Sequence, residues 1–116
     1  MSQSILKEKS YLFALRIVKM CRYLSEEKRE FVLSKQILRS GTSIGANIEE
    51  AFQGQSNADF THKLSISLKE SFETNYWLRL LQDSGYLSGK ESKSMLSDCE
   101  ELQKLLTSSI KTAKNK

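Results

Sequence analysis

The sequence predicts an all-α protein, an antiparallel up-down-up-down four-helix bundle. Three observations carry that prediction. Four stretches repeat their apolar residues at helical spacing, the breaks between them are only a few residues long, and none of the 116 residues is proline. A proline-free chain argues against a turn-rich all-β fold and against a Pro-rich linker. The length fits one domain, large enough to fold without a metal or disulfide.

The first helix covers about 4–24, with Leu6, Phe13, Ile17, Met20 and Leu24 on one face. The charged run Glu26-Glu27-Lys28 follows it. The second covers about 28–53, where Leu33, Ile37, Gly41, Ile44, Ile48 and Ala51 keep a 4-4-3-4-3 spacing. The third is expected over 57–84, with Asn57 as N-cap and Phe60, Leu64, Leu68, Ser71, Asn75 and Leu78 facing inward. Gly85 ends it, as a glycine in the left-handed conformation does. The fourth, 88–110, opens on Ser88-Gly89-Lys90-Glu91, a capping-box spacing, and carries Met95, Cys99, Leu102 and Leu106. The bundle is thus placed at 1–110 and a basic tail at 111–116.

A lone bundle needs one buried stripe per helix, yet two helices carry a second apolar row. The first helix has Ile5, Leu12, Leu15 and Tyr23 among Lys9, Arg16 and Lys19; the third has Ile66, Trp77 and Leu80 among Glu70 and Glu73. Rows of this kind predict a partner surface, and a second copy of the chain is the simplest partner.

The segment 36–51 is unusual for a helix interior. Gly41 and Gly45 each cost about 1 kcal/mol relative to alanine there, so close approach of another element is expected at both. A polar ladder, Gln36, Ser40, Ser43, Asn47 and Glu50, runs beside the apolar one with Arg39 at its edge. With Trp77, these residues form the expected packing or oligomer seam. The same segment also admits a helix-turn-helix reading with a turn at Ser40-Gly41-Thr42. Glu49 and Glu50 on its second helix would repel phosphates and argue against it.

Eighteen Lys and Arg face fourteen Asp and Glu, a net charge of +4. Lys111, Lys114 and Lys116 supply most of that excess, and residues 1–25 hold five basic residues against one acidic. Lys9, Arg16, Lys19 and the three tail lysines are therefore the candidate contacts to RNA, DNA or a nucleoprotein. Catalytic chemistry finds little to stand on. His62 is the one histidine and follows no glutamate at the spacing a di-metal bundle uses, and no phosphate-binding glycine loop is present. No enzyme activity, metal or cofactor is expected. Cys21 and Cys99 read as buried reduced thiols. Without a signal-peptide pattern or an apolar run of membrane-spanning length, a cytoplasmic location and no membrane partner are expected.

The run RSGTSIGANIEEA, followed by ADFTHKLSISLKESFETNYWLRLLQDSGYL, resembles the four-helix bundle family first described from intervening sequences of 23S rRNA genes. The similarity extends over about 12–106. Many members read NIAEG where this chain has Asn47-Ile48-Glu49-Glu50-Ala51. The resemblance implies a left-handed bundle assembled as a homopentameric ring. The family is also distantly similar to the accessory protein of diversity-generating retroelements, a pentameric barrel that binds nucleic acid and a reverse transcriptase. Together these readings imply a non-enzymatic oligomeric scaffold or adaptor with electrostatic nucleic-acid binding. The alternative is a structural homo-oligomer with a protein partner and no affinity for nucleic acid.

Overall fold

A computed structural model describes residues 2–116, with side chains from Ile5 onward. Four helices follow one another: α1 (Ser2–Glu26), α2 (Val32–Ala51), α3 (Asn57–Asp83) and α4 (Gly89–Lys114). Each packs on its neighbours in sequence, and α4 closes the square on α1; the diagonal pairs α1–α3 and α2–α4 do not meet. The bundle measures 47 × 21 × 20 Å. No helix among the described residues is long and apolar enough to cross a membrane.

Local chemistry sets the helix ends. The carboxylate of Glu30 accepts the backbone N–H groups of Val32, Leu33 and Ser34 at 3.2, 3.0 and 2.8 Å, so α2 starts at Val32 and not near residue 28. A buried glutamate thus satisfies donors that the first helical turn leaves free. Arg29, with φ of 55°, turns the chain into this cap. For α3 the N-cap is Ser56, whose hydroxyl accepts the Asp59 N–H at 3.1 Å. Asn57, expected in that role, is already helical and instead donates from Nδ2 to the Ala113 carbonyl at 2.8 Å. Gly85, at φ 88°, ends α3, with the Tyr86 N–H reaching back to the Leu81 carbonyl at 2.9 Å. Ser88 accepts the Glu91 N–H at 3.1 Å and starts α4. That helix continues through Lys114, so Lys111 and Lys114 lie on it and not in a separate tail.

The core joins Leu6, Phe13, Ile17, Met20 and Leu24 of α1 to Ile37, Ile44 and Ile48 of α2, Leu64, Leu78 and Leu81 of α3, and Met95, Leu102 and Leu106 of α4. On α3 the buried face is Leu64, Ser67, Ser71, Thr74, Leu78 and Leu81. Leu68 and Asn75 are only half-buried, which shifts the stripe from the expected one. Of the three hydroxyl residues in the middle of that stripe, Ser67 and Thr74 meet α2, while the Ser71 carbonyl accepts from Cys99 and Gln103 of α4. Ser67 Oγ donates to the Ile44 carbonyl at 2.8 Å, and Thr74 Oγ1 lies 3.0 Å from Ser40 Oγ. Apolar periodicity cannot register a contact built from serine and threonine.

Helix α2 is unbroken from Val32 to Ala51, and neither Gly41 nor Gly45 has positive φ. The turn a helix-turn-helix would need is absent. A Cβ on Gly41 would sit 2.8 Å from Ile17 Cγ1, while one on Gly45 would find the Ser10 backbone oxygen at 3.4 Å. Close approach of α1 therefore explains Gly41, whereas at Gly45, expected to be equally crowded, a methyl group would find near-ordinary contact distances.

Candidate functional site

The basic row expected on α1 is largely neutralised by α4. Lys9 Nζ lies 3.3 Å from Glu101 Oε2, and Arg16 Nη1 donates to Asp98 Oδ2 at 2.6 Å. The second Arg16 nitrogen donates to Ser94 Oγ at 3.0 Å. These are partly exposed pairs, worth at most about 1 kcal/mol each to stability. They nevertheless hold both cations beside carboxylates, so Lys9 and Arg16 are partnered within the bundle. Lys19 makes no ion pair among the described residues and lines a groove of about 480 Å³ between α1 and α4, with Met20, Tyr23 and Leu87. Of the C-terminal lysines, Lys111 and Lys114 project from the last turns of α4 and Lys116 lies just beyond, all exposed and without an ion pair among the described residues.

The polar ladder on α2 does not act as one seam. Ser40 is buried and meets Thr74 of α3. Ser43 Oγ bonds back to the Arg39 carbonyl at 2.6 Å, and Asn47 Nδ2 to the Ser43 carbonyl at 2.8 Å, both within their own helix. Glu50 pairs with Lys63 of α3 at 2.8 Å. Arg39 reaches across to Glu70 at 3.3 Å and to Glu73, and Trp77 Nε1 donates to the same Glu73 at 3.0 Å. Arg39, Glu70, Glu73 and Trp77 thus tie α2 to α3 laterally, with one positive charge against two negative.

Exposed apolar side chains are unevenly placed. Helix α1 exposes Ile5, Tyr11, Leu12, Leu15, Val18 and Tyr23, with Tyr11 at 64% and Leu12 at 52%. This confirms the placement of the second row of α1 at the surface. The row on α3 differs: Ile66, Trp77 and Leu80 are half-buried, and the exposed pair is Phe72 and Tyr76, one turn apart. Sequence reasoning missed both, although their i, i+4 spacing on a helix was a readable signal. No large apolar side chain of α4 is exposed.

Neither thiol is activated. Burial pushes Cys21 up to about 11 and Cys99 up to about 12, with Glu30 adding to the first and Glu100 and Asp98 to the second. No group of three or more metal-capable side chains occurs among the described residues.

The profile of the 23S rRNA-intervening sequence protein family matches residues 2–108, nearly the whole chain. The chain belongs to that family. The chain is similar to a crystal structure of a protein of unknown function from the S23 ribosomal protein family of Bacteroides thetaiotaomicron. The two share 54% identity and a TM-score of 0.95 over 96% of this chain and 99% of that one. No curated protein matches. The fold of this chain is thus shared over nearly its whole length with a solved protein of unknown function.

Proposed function

We propose that this protein is a non-enzymatic scaffold that assembles with further copies of itself and carries nucleic acid or a nucleoprotein in the cytoplasm. The observation that carries the self-association is the outward arc of α1; the nucleic-acid part rests on the family resemblance and the basic excess of the chain. Six large apolar side chains on that arc present on the order of 500 Å² to solvent, near the upper range for a monomer's largest patch. A second apolar pair, Phe72 and Tyr76, faces out from α3 at the diagonally opposite corner of the bundle. Two different patches on opposite sides favour a head-to-tail contact, and such contacts close into rings when the rotation permits. Five subunits is the number the family resemblance implies.

The competing reading, a homo-oligomer whose partner is another protein, draws on the same apolar surface. A charged substitution tests self-association. Leu12→Glu with Leu15→Glu should release protomers in sedimentation velocity while helicity is retained, because both side chains are exposed and their loss opens no cavity. Unchanged sedimentation in that variant would remove α1 from the interface.

A further inference from the structure

The charges of α4 are sorted between two sides. Its acids Asp98 and Glu101 face α1, where Arg16 and Lys9 hold them. Its lysines point away. Lys93, Lys104 and Lys111 fall within a narrow azimuth, about three and then about two helical turns apart, so they form a line roughly 27 Å long. All are exposed and none makes an ion pair among the described residues. Glu100 interrupts the line and is the single acid on it. Lys90 and Lys114 flank its ends and raise the local excess.

We infer that this outward face of α4, and not the α1 row, is the surface that contacts a nucleic-acid backbone. The inference rests on the proposal that the protein carries nucleic acid, and it assigns that ligand to a different helix. Two features distinguish phosphate from a protein partner here. The face is made mainly of Lys, Ser and Thr, side chains that donate to phosphate oxygens, and Glu100 is the one side chain on the line that repels them. It also lacks any exposed large apolar residue, the anchors a protein interface requires at its centre. The apolar arc of α1 and the Phe72–Tyr76 pair of α3 lie on other helices, so self-association through them leaves the α4 lysines in solvent. Each added subunit then repeats the line, and weak patches on one rigid frame act together. The surface reads charge and not base identity.

The test compares two charge-matched triple variants, Lys93→Gln/Lys104→Gln/Lys111→Gln on α4 and Lys9→Gln/Arg16→Gln/Lys19→Gln on α1. The probe is a fluorescein-labelled 20-nucleotide RNA of mixed sequence, titrated between 50 and 200 mM KCl, with helicity and sedimentation checked for each protein. The α4 variant should lose more than about tenfold in affinity at 50 mM. Its log–log salt slope should become shallower by about two or more, because each lost phosphate contact on a single strand removes about 0.7. The α1 variant should stay within about threefold of the wild type. Equal losses in both variants would show that only net charge matters and would overturn the assignment, as would a loss confined to α1. Displacement of the RNA by polyglutamate as readily as by unlabelled RNA would also overturn it, in favour of an acidic protein. No wild-type binding at 50 mM would discard both this surface and the nucleic-acid part of the proposed function, leaving self-association standing.

Discussion

Gly41→Ala is expected to destabilise the protein even though it replaces a poor helix former with the best one. The added Cβ would lie 2.8, 2.9 and 3.0 Å from Cγ1, Cδ1 and Cγ2 of Ile17. Ile17 is fully buried, and branching at Cβ leaves it one strongly preferred rotamer in a helix, so it cannot swing aside cheaply. Overpacking of this kind costs about 1–3 kcal/mol. The gain in helix propensity returns up to about 1 kcal/mol, leaving a net loss of up to about 2 kcal/mol and a deficit of about 1–3 kcal/mol relative to a Gly→Ala change free of the clash. Gly45→Ala serves as the control. Its Cβ would meet Ser10 backbone and hydroxyl atoms only at 3.4 Å, so the propensity gain should make it neutral or slightly stabilising. Urea unfolding followed by circular dichroism, at one fixed protomer concentration, reads both variants. An Ile17→Ala background supplies the internal check: with the clash removed, Gly41→Ala should cost markedly less than in the wild type, giving a coupling of about 1 kcal/mol or more. Gly41→Ala as stable as Gly45→Ala, or no coupling to Ile17, would refute the close-approach account of α2.

Ser67→Ala should lose about 1 kcal/mol of stability, the net worth of the buried bond to the Ile44 carbonyl, and the same unfolding assay measures it. For the thiols, a folded-state pKa raised to about 11 and about 12 against an unfolded value near 9 means the unfolded chain gives up its protons first as pH rises. Stability should therefore hold up to about pH 9 and fall above it, until about pH 11 for Cys21 and about pH 12 for Cys99, by at most about 1.4 kcal/mol per pH unit per thiol, a decline that Cys21→Ala/Cys99→Ala should flatten. Alkylation of both cysteines by iodoacetamide at pH 8 should be slow in the folded protein and rapid in urea; fast labelling of the native state would contradict their burial.

Element order and type were legible because long helical stripes such as Leu6 to Leu24 and Met95 to Leu106 bury their apolar residues against one another. Three features were not. The start of α2 depends on Glu30, whose role as a cap is set by a turn through Arg29 that no residue preference announces. The inner face of α3 turned on Ser67 and Thr74, polar residues buried because a neighbouring serine and a carbonyl satisfy them. The basic row of α1 looked free because Asp98 and Glu101 lie more than eighty residues away in the chain, and only the closing of α4 on α1 brings them to Arg16 and Lys9. In the seam, the crowding at Gly41 was readable from the cost of glycine in a helix, but the same argument did not hold at Gly45. The division of Ser43, Asn47 and Glu50 among unrelated partners was not readable, since spacing alone places all three on one side.

The central claim is that the apolar arc of α1 is covered by another copy of the chain. Multi-angle light scattering of the wild-type protein at about 10 μM, in line with size exclusion, tests it without any substitution. Self-association predicts a mass that is an integral multiple of 13.3 kDa, with fivefold expected from the family resemblance. A mass of 13.3 kDa across the micromolar range would contradict it, and the exposed residues of α1 and α3 would then need a different partner.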